Sequence, residues 1–228
     1  CIPARVALAQ SDLVLALGVR FGELDFWGKA PLWGTAAQEV IQVHIAPERI
    51  GTNRPVRQAV VGNVKAVLRQ LLEAVRSITP KRAPQERIAQ MKALEKAWWG
   101  DLNKRFASDA HPMLTGRLIK EVREYFPRET IMVLDGGNTT LWAVHFNPIY
   151  EPRTFLWTAD FGHLGTGLPY AMGAKLAFPD RPVCLISGDS AFGFNLQELE
   201  TARRHEIKIV AIVNVDSAWG MERASQKR

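Results

Sequence analysis

The 228-residue chain is 47% hydrophobic and 23% charged, a balance that fits one large α/β domain or two smaller ones and excludes fibrous and disordered classes. Its net charge of +6 is spread along the chain with no dense Lys/Arg run, so nucleic acid is not an expected partner. No apolar segment approaches bilayer-spanning length, no signal peptide is visible, and the two cysteines, Cys1 and Cys184, make no disulfide framework, so no membrane is expected and the expected location is the reducing cytoplasm.

The first apolar run, residues 12–19, ends at a glycine and predicts a buried parallel strand. Residues 39–45 predict a second strand, closed by Ala46-Pro47, and Val60-Val61 a short third. Helical spacing then runs through Val64, Val67, Leu68, Leu71, Leu72 and Val75, over 63–77. Pro80 and Pro84 among charged residues mark a linker at 78–90, overlapped by a helix predicted over 85–107. A further helix starts at Pro112 and runs through Leu114, Leu118, Val122 and Phe126. Strands are predicted at 130–134, 182–187 and 207–213, and helices at 165–177 and 194–204. Strands alternating with helices imply parallel sheets with crossover connections. The domain boundaries drawn from this are 1–79, a linker with helix at 80–110, and 111–228. Both ends of the chain, Cys1 and Lys227-Arg228, read as cut, so the chain is expected to be a segment of a longer protein.

In such sheets ligands bind beyond the carboxyl ends of the strands. Three strand ends carry polar or glycine residues: Asp135-Gly136-Gly137, Gly188-Asp189-Ser190 and Asn214-Val215-Asp216. Glycine lets a ligand approach the backbone, and a helix start offers unpaired N–H groups to a phosphate. Asp189 would repel a phosphate directly but would hold a magnesium ion that the phosphate shares; a helix N-cap is the competing role. Asp216 follows at the end of the next strand, where a strand–helix–strand unit brings both carboxylates to one edge. Cys184, inside Val183-Cys184-Leu185-Ile186, reads as a buried core thiol.

The segment Gly188-Asp189-Ser190-Ala191-Phe192-Gly193-Phe194 through Trp219-Gly220-Met221, with Gln197-Glu198-Leu199-Glu200-Thr201-Ala202 between, resembles the cofactor motif of thiamine diphosphate (ThDP) enzymes of the acetolactate synthase-like family. That motif reads Gly-Asp-Gly, a spacer, then Asn-Asn. Here Ser190 stands for the last glycine and Asp216 for the second asparagine. The resemblance implies two parallel-sheet, Rossmann-like domains: part of a central domain, and the domain that binds the ThDP diphosphate. It implies Mg²⁺ held by Asp189, Asp216 and the carbonyl of Ala218, with Asn214 the competing ligand if the register differs by two. Gly188, Asp189, Ser190 and Ala191 would contact the cofactor. Asp135-Gly136-Gly137-Asn138-Thr139 resembles the family segment that touches the diphosphate, making Gly137, Asn138 and Thr139 candidates; Asp135 could equally serve a turn.

Phe161-Gly162-His163-Leu164-Gly165 resembles the family loop that shapes the cofactor. The carbonyl of Gly162 would take the pyrimidine amino group, and Leu164 would wedge between the two rings and enforce a V shape. A turn before a helix and plain core packing are the competing roles of these glycines and Leu164. His163 is a candidate to touch substrate, whereas His145 and His44 read as structural. Ser11-Asp12-Leu13-Val14 through Phe21-Gly22, and Val43-His44-Ile45-Ala46-Pro47-Glu48-Arg49-Ile50-Gly51, resemble the family's central domain, with Ala46 where many members carry Asp. FAD is therefore not expected.

The function implied is that of a segment of a ThDP- and Mg²⁺-dependent 2-oxo-acid carboligase or decarboxylase, acting on a 2-oxo acid or related carbonyl substrate. The full-length protein would be a homodimer or homotetramer. The activating glutamate of the family lies in an N-terminal domain contributed by the partner subunit, so the isolated chain is expected to be nearly inactive. A C–C lyase of the oxalyl-CoA decarboxylase or benzaldehyde lyase type is the nearest alternative. A non-catalytic nucleotide- or FAD-binding module, or a purely structural fragment supporting a dimer, is a more distant one; the absence of Gly-x-Gly-x-x-Gly after a strand weighs against the nucleotide module.

Overall fold

A computed structural model of the chain describes residues 2–76, 78, 85–158 and 161–227. Cys1 and residues 79–84 of the expected linker lie outside the described residues. Two compact units divide the chain, residues 1–101 and residues 102–228. Among the described residues no helix is long and apolar enough to cross a membrane.

The first unit is a three-stranded parallel sheet in the order β1 (Leu13–Leu17), β2 (Glu39–His44), β3 (Gln58–Val61). Helix α1 (Ile2–Ala9) precedes it and α2 (Val64–Arg76) follows it. Asn63 caps α2 by accepting the Lys65 N–H at 3.0 Å. The core gathers Ala16, Phe21, Trp33 and Val40, with Phe21 and Trp33 edge to face at 5.1 Å. Gln42 is fully buried on the central strand. It donates to Val19 O at 2.8 Å and accepts from Gly51 N at 2.9 Å, tying the connections after β1 and β2 together. Arg54 is buried too, and burial lowers its affinity for its proton. Its guanidinium donates to the carbonyls of Gly28 and Gly34 and to Gln38 Oε1, so dipoles rather than a carboxylate satisfy it.

Helix α3 (Gln85–Phe106) leads into the second unit, where its last turn is buried through Leu102 and Phe106. Phe106 meets Phe146 edge to face at 5.3 Å. Helix α4 (Thr115–Tyr125) carries Arg123 in its last turn, which donates to the carbonyls of Phe126, Pro127, Arg128 and Pro148. A cation there meets the negative end of the helix. The sheet is parallel and ordered β5 (Phe155–Leu156), β4 (Ile131–Asp135), β6 (Val183–Gly188), β7 (Val210–Asn214). β4 is buried from end to end, as is β6 up to Gly188. Such near-continuous apolar runs belong to strands covered on both faces. One face packs Leu168, Ala171 and Met172 of α6 (Gly167–Ala177) against Ile131, Val133 and Leu185; the other packs Ile119, Val122 and Ala143 against Met132, Leu134, Cys184 and Ile186.

The two parallel sheets are those expected from the sequence, but four elements differ. Residues 138–146 form a helix, α5 (Asn138–Phe146), and β5 pairs beside β4; neither stood out in the sequence. The helix expected over 194–204 starts only at α8 (Glu198–Arg204), and a separate short helix, α7 (Asp189–Gly193), precedes it. Asn195 lies between them, and its side-chain amide reaches the carbonyl of Gly165, an alternative that competes with helix continuation. The last strand starts at Val210 rather than at 207, and Ile207 and Ile209 before it pack against the core. α9 (Gly220–Gln226) closes the unit.

Candidate functional site

The polar strand ends of the second unit meet at one edge. β6 pairs β4 on one side and β7 on the other, with Asp135 opposite Ser187 and Gly188 opposite Asn214. At Gly136 the backbone turns with φ +103°, and a Cβ there would stand 2.9 Å from the Gly188 nitrogen. Only glycine combines that conformation with that approach.

Asp189 opens α7 directly after β6. Its Oδ1 accepts the Ser190 N–H at 2.7 Å, and its Oδ2 accepts the Ser217 N–H at 2.9 Å. The second bond ties the end of β6 to the loop after β7. Next to Ser217, Asp216 Oδ1 accepts the Ala218 N–H at 3.1 Å. Gly220 lies between Asp216 and Asn138: a Cβ on it would come within 2.6 Å of Asp216 Oδ2 and 2.5 Å of Asn138 Nδ2. Gly137 sits under Met221, whose Cβ would be 3.1 Å away from a side chain placed there. The structure thus brings Asp189, Asp216, Ala218, Gly137 and Asn138 to one rim. Each engaged carboxylate oxygen keeps a further lone pair for a cation.

The side chains of two residues at this edge turn inward. Asn214 Nδ2 donates to Thr139 Oγ1 at 3.0 Å and lies 3.4 Å from Thr115 Oγ1. Thr139 is itself buried, so its hydroxyl serves the fold and its backbone N–H is what it offers the rim. Ala191 is buried likewise, while Ser190 is half-buried. Among the described residues no cluster of three or more His, Cys, Asp or Glu could hold a metal. Any ion here would depend on two carboxylates completed by carbonyl, ligand or water oxygens, a set suited to magnesium.

The loop before α6 is held from below. Asp135, 4% exposed, ends β4. Its Oδ2 accepts the N–H of Gly167 at 2.7 Å and of Gly165 at 3.0 Å, and its Oδ1 accepts the N–H of Gly136 at 2.8 Å. Burial raises its pKa above the ordinary 3.8, opposed by these three bonds and by the charge of His163. Thr158 and Thr166 share a hydroxyl bond of 2.8 Å at the base of the same loop. At the tip, Phe161 is 86% exposed, Gly162 has φ +65°, His163 is exposed with its ring 5.7 Å from that of Phe161, and Leu164 is half-buried. His145 spends Nδ1 on the Leu141 carbonyl at 2.8 Å. His44 Nδ1 accepts the Ala46 N–H at 3.0 Å. Cys184 is fully buried, and burial pushes its thiol up to about 12.

The hub role of Asp135 was not read from the sequence. The signal available was an aspartate followed by two glycines at a strand end, and its partners lie 30 and 32 residues away. The first unit carries a separate cleft of about 700 Å³ at the carboxyl ends of β1 and β2, lined by Gly18, His44, Ile45 and the start of α2. Ala46, next to it, offers no carboxylate to a ribose.

Comparison with known proteins agrees with this layout. Residues 2–71 match the family described as "Thiamine pyrophosphate enzyme, central domain", and residues 135–228 match "Thiamine pyrophosphate enzyme, C-terminal TPP binding domain". The chain is 29% identical to a sulfoacetaldehyde acetyltransferase of Alcaligenes xylosoxydans xylosoxydans, over 96% of this chain and 40% of the relative. It is 29% identical to a probable acetolactate synthase large subunit of Methanococcus aeolicus, over 96% and 38%. It is 31% identical to the acetolactate synthase large subunit of Cyanidium caldarium, over 98% and 37%. The chain therefore spans about two fifths of the length of the curated relatives it matches. With its central and cofactor-binding domains both matched, and the polar strand ends gathered at one edge of the second, this chain belongs to the thiamine pyrophosphate enzyme family.

Proposed function

We propose that the chain is a segment of a ThDP- and Mg²⁺-dependent 2-oxo-acid carboligase or decarboxylase, acetolactate synthase-like, and that its second unit holds the cofactor diphosphate through the metal. The observation that carries this reading is the bond from Ser217 N–H to Asp189 Oδ2, which sets Asp189 beside the Asp216 loop. Asp189, Asp216 and the Ala218 carbonyl would hold Mg²⁺. The donor set fits: hard oxygens only, two of them charged, with room for diphosphate oxygens. The Gly137–Thr139 and Gly188–Ala191 turns would face the diphosphate, with the Ser190 N–H already held by Asp189 Oδ1. Gly220 also fits, since a side chain there would fill the space between Asn138 and Asp216.

The Gly162 carbonyl would orient the pyrimidine amino group, Leu164 would keep the two rings bent, and His163 would face substrate. When bound, ThDP supplies the electron sink that makes cleavage or formation of a carbon–carbon bond beside a carbonyl feasible. The glutamate that protonates the pyrimidine in this family would come from a partner subunit of a cytoplasmic homodimer or homotetramer. This chain alone is then expected to bind the cofactor and to turn over substrate hardly at all. A C–C lyase of the oxalyl-CoA decarboxylase or benzaldehyde lyase type is a second reading, favoured by Ser190 and by Trp219-Gly220.

Calorimetric titration of ThDP with and without Mg²⁺ tests the site. Binding is expected only with the metal, and Asp189→Ala is expected to weaken it at least tenfold, the scale of one lost charge-assisted contact of about 1.4 kcal/mol or more. Metal-independent binding, or an Asp189→Ala protein that binds as tightly as the parent, would sink the reading.

A further inference from the structure

We propose that Asp135 is a positioning residue that sets the Gly162–Leu164 loop at a fixed height above the diphosphate edge, so that one buried carboxylate aligns the two halves of the cofactor grip. The inference rests on the site reading above. Asp135 belongs to both halves. Its main chain continues into Gly136 and Gly137 at the rim, and its Oδ2 takes the N–H groups of Gly165 and Gly167 at the foot of the loop.

The fit leaves no play. A Cβ on Gly167 would stand 2.6 Å from the Asp135 Cβ and 2.7 Å from Leu185 Cδ1, and one on Gly165 would stand 2.7 Å from the Phe194 Cβ. From the far side, the Asn195 amide grips the Gly165 carbonyl. Both the N–H and the C=O of Gly165 are thereby held by side chains, one from the end of β4 and one from the turn between α7 and α8. Asp189 lies six residues before Asn195, so the segment that starts at the rim also ends under the loop.

The chemistry requires a carboxylate. Three N–H donors converge on two acceptor oxygens. An asparagine offers one acceptor and an NH₂, so either the Gly165/Gly167 pair or Gly136 would face another donor. Asp135→Asn keeps the volume and breaks the grip. A group that only stabilised the fold would, when changed, weaken every ligand of the unit alike. A group that positions the loop would leave the diphosphate edge intact and cost only what the loop contributes.

The experiment measures Mg²⁺-dependent binding of inorganic diphosphate and of ThDP to the parent and to Asp135→Asn, with hydrogen exchange at Gly165 and Gly167. The variant is expected to bind diphosphate within about threefold of the parent but ThDP about tenfold more weakly, the size of one lost hydrogen bond to a charged group. The two glycine amides are expected to exchange faster while those of β4 and β6 keep their protection. Asn195→Leu, which removes the opposite grip, is expected to split the two ligands in the same direction and keeps the test alive if Asp135→Asn does not fold. Equal losses for both ligands, unchanged ThDP binding, or unaltered exchange at the glycines would overturn the proposal. A parent that binds neither ligand would instead overturn the site reading, and with it the cofactor role of Asp135; faster glycine exchange in the variant would then leave it a loop anchor alone.

Discussion

Asn214 Nδ2 donates to Thr139 Oγ1 across 3.0 Å, joining the last residue of β7 to the first turn of α5. The bond separates two residues that the sequence left in competition, since Asn214 points into the fold and Asp216 stands exposed at the rim. Asn214→Ala is expected to lower unfolding free energy by about 1–2 kcal/mol, because it strips a donor from partly buried hydroxyls. The same change is expected to leave Mg²⁺-dependent ThDP affinity within about threefold, or less than ~0.7 kcal/mol. Asp216→Ala is expected to do the reverse. Urea denaturation and calorimetry on the two variants check the pair.

Gly136 is the point at which β4 turns away beneath β6. With φ at +103° and the Gly188 nitrogen 2.9 Å from any added Cβ, Gly136→Ala meets both strain and backbone collision. A loss of about 1–3 kcal/mol is expected from the conformation alone, read as a lower thermal midpoint. Gly100, where a Cβ would meet nothing within 4 Å, provides the control: Gly100→Ala lies inside α3 and is expected to stabilise by up to about 1 kcal/mol.

Asp135 also carries a signature in pH. Burial raises its pKa in the folded chain above the ordinary 3.8. The folded state therefore holds this proton more tightly than the unfolded state. Stability attributable to the group is highest below 3.8 and is lost as pH rises from there through the folded value. The unfolding free energy of the parent minus that of Asp135→Asn is expected to fall over that window and then to level off. Paired denaturation curves between pH 3.5 and 7 (about one every half unit) would measure it; a difference that rose with pH would refute the assignment.

How much of this was legible depends on the range of the signal. The strands other than β5 were readable because each is a short apolar run closed by glycine or a polar residue, as in Val183–Gly188. The convergence of three strand ends was conditional on their lying side by side, and the register makes β4, β6 and β7 neighbours. α5 was hidden because Thr139 and Thr140 open it, and Leu141, Trp142, Ala143, Val144 and Phe146 then leave no polar stripe to give a helical period. The break between α7 and α8 depends on the Asn195 side chain finding Gly165, 30 residues away. The hold of Asp135 on the loop is equally remote. Local sequence carries no trace of partners chosen by tertiary structure.

The place of β6 has one further consequence. It is paired on both sides, to β4 and to β7. Successive residues of a strand face opposite ways, so adding or deleting a single residue would exchange its two faces. Leu185 would leave one core and Cys184 the other, and Asp189 would swing away from Ser217. The rim of this chain thus cannot be retuned by sliding β6, whereas the residues that follow each strand, Ser190 and Asp216 among them, can be exchanged while the strand beneath them stays fixed.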